Sequence, residues 1–208
     1  MKDDHLPQLC KNLRQKYHCH TLILYGSRAR DQALPTSDYD LVGFRARGAT
    51  IHDARKIRGA FLDIFIYPES NAKPADLLRI RGGKIIFQKK HFGDVLLARV
   101  EKIYAKGPKQ KSAQEKLALK TWAQKMLVRI KAGGVEADFR RVWLLTALLE
   151  DYFSMRGIWY EGPKAAFKWL TENDGPTNRL FERALRPRAT LQQIENLVAA
   201  VTEKRPMP

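Results

Sequence analysis

Gly26-Ser27-Arg28-Ala29-Arg30, Ser37-Asp38-Tyr39-Asp40 and Phe61-Leu62-Asp63-Ile64-Phe65-Ile66-Tyr67 decide how this chain is read. The apolar run Thr21-Leu22-Ile23-Leu24-Tyr25 stops at the first of them, which suits a buried strand running into a turn. Arg28 to Leu34 leaves room for about two helical turns before Pro35 ends them. Ser37 then opens a second strand, Asp38 to Arg45, with Leu41, Val42 and Phe44 as its apolar residues. Thr50 to Ile57 and Ala60 to Tyr67 are both β-rich, so Arg58-Gly59 between them reads as a hairpin turn, although Ile51 to Ile57 alone could also be a short helix.

Outward from that centre the pattern is simpler. Leu6, Leu9, Cys10, Leu13 and Tyr17 are spaced for one face of a first helix. After Pro68, a helical turn is expected at Ala75 to Arg79 and a short strand at Lys84 to Gln88. From Asp94 onward the periodicity is helical, with segments expected at Ala113 to Lys131, Val135 to Met155, Lys164 to Thr171, Asn178 to Leu185 and Thr190 to Glu203. Gly107-Pro108 and the lysines after it mark a boundary. The expected fold is α+β: a small mixed-sheet domain, residues 1–107, followed by an all-helical domain, residues 108–208.

Composition sets outer limits. Apolar content of 44% is too high for a disordered chain, and no apolar stretch approaches the roughly 20 residues of a membrane span. The first residues are polar, so no leader is expected. Cys10 and Cys19 form no disulfide framework and no CxxC pair, which fits a reduced, cytoplasmic protein. The net charge of +16 is spread along the chain and predicts attraction to polyanions, without saying which.

The three motifs supply a definite chemistry. A glycine after a buried strand lets the backbone turn sharply and approach a ligand. The Ser27 N–H and hydroxyl, with the first free N–H groups of the following helix, can face phosphate oxygens. Arg28 and Arg30 add guanidinium groups suited to phosphate. Taken alone, this pentapeptide is also an ordinary strand–turn–helix connection. With a side-chain period of two, Asp38 and Asp40 project from one strand face, where they repel each other unless cations intervene. Ser37-Asp38-Tyr39-Asp40 is also sound turn chemistry. Asp63 separates the alternatives, because a carboxylate in so apolar a strand is costly unless it is paired, exposed or metal-bound. Together the pieces read as a metal-dependent site in which Asp38, Asp40 and Asp63 hold two divalent ions, with Ser27 and Arg30 on the β- and γ-phosphates of a nucleoside triphosphate.

Gly-Ser-x-x-Arg, a short helix, Ser-Asp-x-Asp-Leu and a later strand aspartate resemble the DNA polymerase beta-like nucleotidyltransferase superfamily. Its minimal and aminoglycoside-type members are the nearest in size. The likeness covers roughly residues 15 to 70. It places the family's Gly-Ser pair on Gly26 and Ser27, its phosphate-binding arginine on Arg30, its metal-binding pair on Asp38 and Asp40, and its third carboxylate on Asp63. It implies a catalyst that uses Mg²⁺ and a triphosphate, with ATP the expected donor and AMP the expected transferred group. The acceptor is a hydroxyl on an unidentified molecule, a small one in the leading reading. RNA or a protein partner, as in a toxin–antitoxin pair, is the alternative, and a non-catalytic basic interaction module is the third. The hairpin expected between Asp40 and Asp63 departs from many minimal members, which carry a helix there.

In the helical half, Glu150 or Asp151 could serve as a base toward the acceptor, against the simpler reading of a solvated acidic turn. Lys164, at a helix start after Gly162-Pro163, is a candidate phosphate contact. Trp122, Trp143, Trp159 and Trp169 are read as core or interface residues rather than base-stacking platforms. His18-Cys19-His20 lacks the spacing of a zinc site.

Overall fold

A computed structural model describes residues 6–30, 34, 37–57 and 59–203. The chain divides into two compact units, Met1–Lys106 and Gly107–Pro208. The fold is α+β, and among the described residues the strands lie in the first unit. Among the described residues, no helix is long and apolar enough to cross a membrane.

The first unit is built on five strands: β1 (Thr21–Tyr25), β2 (Tyr39–Arg45), β3 (Ile51–Ile57), β4 (Ala60–Pro68) and β5 (Lys84–Phe87). They pair in the order β3-β4-β2-β1-β5. β2 and β4 run parallel, and every other neighbouring pair is antiparallel. β3 and β4 form the expected hairpin, with Ile57 opposite Ala60 and Gly59 at φ +93 in the turn. Arg58 lies outside the described residues.

Alternation along the strands gives the sheet two buried faces. Leu22, Leu24, Leu41, Leu62, Ile64 and Ile66 meet α1 (Leu6–Tyr17), which contributes Cys10, Leu13 and Tyr17. Leu13 is completely buried, worth about 2 kcal/mol on transfer grounds. Tyr17 Oη donates to Asp53 Oδ2 of β3 at 2.5 Å, tying the end of α1 to the sheet edge. On the other face, Ile23, Tyr25, Val42 and Phe44 pack with Leu77 and Ile80 of a 3₁₀ segment, Pro74–Ile80, and with Leu96 and Val100 of α3 (Phe92–Ala105).

Three expectations about this unit need correction. The helix after β1, α2, begins at Gly26 itself rather than at Arg28 and is finished by Ala29, and residues 31–33 of the expected helical stretch lie outside the described residues. The end assigned to Pro35 lies outside the described residues. β2 opens at Tyr39, which leaves Asp38 just ahead of the strand. The helical turn at Ala75 to Arg79 belongs to the longer Pro74–Ile80 segment, which kinks at Leu77.

The second unit contains α4 (Ala113–Ile130), α5 (Gly134–Arg156), α6 (Pro163–Asn173), α7 (Gly175–Ala184) and α8 (Leu191–Thr202). α4 and α8 start with capping boxes, Ser112 with Glu115 and Thr190 with Gln193, each satisfying two otherwise unpaired backbone N–H groups. α5 stops at Gly157, which takes the left-handed conformation. α7, expected from Asn178, already opens at Gly175-Pro176, where proline is suited to the first helical turn. Leu144, Leu148, Tyr152 and Phe153 of α5 form the centre of the core, against Leu170, Phe181, Leu197 and Val201. Trp122 and Trp169 pack on that core, whereas Trp143 is about half exposed.

Candidate active site

Strand register assembles the site. Tyr25 at the end of β1 lies opposite Asp40, and Asp40 lies opposite Asp63 in the parallel β2–β4 pair. Paired residues share a sheet face, so these three side chains form one row across three adjacent strands. The apolar neighbours that made Asp63 look costly, Leu62 and Ile64, point to the opposite face and are buried there. Asp63 itself keeps 41% of its side chain exposed and meets His52 Nε2 through Oδ1 at 2.5 Å. Exposure and a partner thus relieve the cost of the carboxylate.

Gly26 completes the row. Its φ of +72 is a conformation that disfavours any side chain, and a Cβ built there would lie 2.1 Å from Asp40 Oδ2. The bare backbone lets the turn close on the carboxylate. Ser27 follows in α2 and is half-buried, while Arg30, the residue that ends α2, is exposed and forms no ion pair among the described residues. Arg28 is engaged differently from the expectation of a phosphate contact. Its Nε and Nη2 donate to the Ser37 carbonyl at 3.0 and 2.6 Å, Nε also reaches the Asp38 carbonyl at 3.2 Å, and the guanidinium sits 3.9 Å from the Tyr39 ring centre. It therefore holds the backbone on which Asp38 is mounted.

The electrostatics follow from this crowding. Burial raises the Asp40 carboxyl above its ordinary value, the negative charges of Asp38 and Asp63 raise it further, and Arg28 opposes them. Burial pushes the Tyr25 hydroxyl up to about 12, with Arg79 pulling it down and Asp40 and Asp63 adding to the rise. Among the described residues, no three His, Cys, Asp or Glu side chains are gathered tightly enough to hold a metal ion as they stand. The three aspartates nevertheless fit a hard divalent cation by donor type, since all are oxygen ligands whose mutual repulsion a cation relieves.

Two neighbours of the row were not singled out from sequence. The His52 ring stacks on Phe65 at 4.1 Å with the planes 4° apart, on the same face as Asp63. The hairpin register contains that signal: if Ile57 faces Ala60, then His52 faces Phe65 and shares a face with Asp63. Arg79 had no such signal, because the Pro74–Ile80 segment reaches the sheet only through tertiary packing. Its Nη2 donates to Tyr67 Oη at 2.8 Å, and the guanidinium lies 4.6 Å from the Phe65 ring centre.

The remaining candidates belong to the second unit. Lys164 is exposed in the first turn of α6, the helix end whose dipole disfavours a cation. Asp151 of α5 is partly buried, and burial with the neighbouring Glu150 charge raises its carboxyl to about 6, opposed by Lys111. Glu150 is exposed.

The chain matches no family model and no curated protein. Among solved structures, a nucleotidyltransferase-like protein from Exiguobacterium sibiricum 255-15 aligns over 95% of this chain and 73% of its own, with 15% identity and a TM-score of 0.43. A functional reading therefore rests on the side chains of the site.

Proposed function

We propose that this protein is a nucleotidyltransferase that transfers a nucleoside monophosphate from a triphosphate, with ATP the expected donor, to an acceptor hydroxyl. The observation carrying this reading is the Asp40–Asp63 register pair with the Gly26 turn closed against Asp40. In the reaction the acceptor oxygen bonds to the α-phosphorus, the bond from that phosphorus to the bridging oxygen breaks, pyrophosphate departs, and the hydroxyl proton is lost.

Each residue has a task in that step. Gly26 keeps the turn low enough for a phosphate to approach the carboxylates, and Ser27 and Arg30 bind the β- and γ-phosphates. Arg28 positions the Asp38 backbone. Asp38, Asp40 and Asp63 would hold Mg²⁺, two ions being the expected number, and these would supply charge neutralisation on the phosphates and a lowered pKa for the acceptor hydroxyl. His52 orients Asp63. The net charge of +16 favours an anionic acceptor such as RNA as a second reading of the same chemistry. RNA binding that weakens with salt and persists without triphosphate would support it, and no RNA binding at low salt would remove it.

The test is calorimetric binding of ATP, GTP, CTP and UTP with and without Mg²⁺, on the native chain and on an Asp38→Asn/Asp40→Asn variant. Metal-dependent binding of at least one triphosphate, weakened in the variant, is the expected result. Failure of every triphosphate to bind would overturn the proposal and leave the basic interaction module.

A further inference from the structure

At the end of the sheet away from the aspartates lies a cavity of about 620 Å³, formed where the chain leaves β4 and where the β5–α3 loop enters α3. Asp63 and the end of β4 are separated by about 17 Å at the usual strand rise, so this is a different place from the candidate active site. The volume is in the range of small-molecule pockets.

Its lining has two parts. Phe92 and Val95 form an apolar side, and Val95 remains 48% exposed although it is a large aliphatic residue. Lys89, Lys90 and Arg99 are also in the lining, with Glu69 as the acidic member. Glu69 already has partners: it meets His20 Nε2 at 2.9 Å and lies 3.9 Å from Lys89 Nζ. Lys90 and Arg99 form no ion pair among the described residues, so the cavity carries uncompensated positive charge beside an apolar surface.

The loop that presents these cations is firmly held. The Lys89 N–H donates to Thr21 Oγ1 at 3.3 Å, and the Gln88 side chain accepts from the N–H groups of Gly93 and Asp94. Gln88 thereby uses the donors at the start of α3, leaving the side chains rather than the helix end to recognise a ligand. Lys90 sits at φ +50, a left-handed conformation that is rare for a residue with a side chain. Strain of this kind persists where its surroundings enforce it, and it recurs at binding sites.

We propose that this cavity is a second, metal-independent binding site for an organic phosphate. The phosphate group is held by Lys90 and Arg99, and an aromatic or aliphatic body lies on Phe92 and Val95. The opposing chemistry of the two places keeps their ligands apart: the aspartate row needs a cation between itself and any phosphate, whereas the cavity needs none.

The test uses phenyl phosphate and inorganic phosphate as probes, measured by calorimetry on the full chain in EDTA. Phenyl phosphate is expected to bind about tenfold more tightly than inorganic phosphate, reflecting burial of the ring. Lys90→Glu/Arg99→Glu is expected to weaken it by about tenfold or more, and Asp38→Asn/Asp40→Asn to leave it intact. The milder Lys90→Gln, monitored by thermal unfolding, covers the case in which the double charge reversal does not fold. Absence of phenyl phosphate binding, equal affinity for the two probes, or indifference to both sets of cavity variants would overturn the proposal. Loss of binding in the aspartate variant would do the same by moving the ligand to the other end of the sheet.

Discussion

The two ends of the five-stranded sheet are chemical opposites. At one, Asp40 and Asp63 stand on adjacent strands with Asp38 close by, and at the other Lys89, Lys90 and Arg99 surround a cavity. Their construction differs as much as their charge. Strand pairing fixes the acidic end: Asp40 and Asp63 are placed by their shared register, and Asp38, just ahead of the ladder, by the hold of Arg28 on its backbone. A loop and the first turns of α3 fix the basic end, and its geometry depends on side-chain contacts such as Gln88 to Gly93 and on a left-handed residue. One end is strained by charge, the other by backbone.

Charge strain predicts the largest effect. On the proposed function, Asp40→Asn is expected to lower nucleotidyl transfer by roughly a thousandfold or more, because it would remove a central ligand for the cations that such a reaction would need. The same change is expected to stabilise the first unit at neutral pH. The Asp40 carboxyl titrates above its ordinary 3.8 in the folded chain, so the folded state holds that proton more tightly than the unfolded state does. Native stability therefore falls as pH rises from about 4 through the raised value, and asparagine escapes that loss. Unfolding temperatures at pH 7 and pH 3, measured without divalent ions, should show the variant ahead at pH 7 only. An advantage of equal size at both would mean that charge is not what strains this end.

Gly26→Ala asks how tightly the acidic end is packed. The new Cβ would meet Asp40 Oδ2 at 2.1 Å and Cγ at 3.0 Å, on top of the unfavourable φ. A loss of about 2–3 kcal/mol is expected, with weaker triphosphate binding. Gly59→Ala is the control: its φ of +93 also disfavours a side chain, but nothing lies within 4 Å of the added carbon, and about 1 kcal/mol is expected. Equal losses in urea titrations would show that Gly26 serves backbone conformation alone.

His52→Ala tests whether the partner of Asp63 acts on the reaction. A drop of about tenfold in kcat with little change in the triphosphate KM is expected, since the side chain orients a carboxylate rather than binding the donor. His52→Gln, which can restore a hydrogen bond, should recover part of that loss. A change confined to KM would place His52 in substrate binding instead.

How far these features could be read from sequence follows the same division. Gly26, Asp40 and Asp63 were legible because strand period and turn chemistry are local, whereas His52 was passed over although the hairpin register contains its signal. Asp38 was placed in the strand, but the ladder starts at Tyr39, a boundary set by pairing rather than by composition. Arg28 was read from its charge as a phosphate contact, yet nearby backbone carbonyls and the Tyr39 ring claim its guanidinium. In the helical unit, α4, α5 and α8 were recognisable from helical periodicity, and their ends coincide with local signals, Ser112 with Glu115, Thr190 with Gln193, and Gly157. The basic cavity was not legible, because Glu69 and Arg99 are 30 positions apart and meet only through the fold.

The smallest effect belongs to that basic end. In Lys90→Gly the left-handed conformation becomes as accessible as any other, which relieves native strain of about 1 kcal/mol. Glycine also makes the unfolded chain more flexible, which opposes the gain by an amount of similar order. The expected net change is therefore a stabilisation below about 1 kcal/mol, read from urea midpoints. Lys90→Ala is the reference, because alanine keeps the strain while removing the same charge. If glycine is the more stable of the pair, the backbone at position 90 is strained in the native state. If alanine is ahead by the full amount of about 1 kcal/mol that glycine's extra flexibility costs, the loop adopts its left-handed residue without cost, and the contrast between a charge-strained end and a backbone-strained end fails.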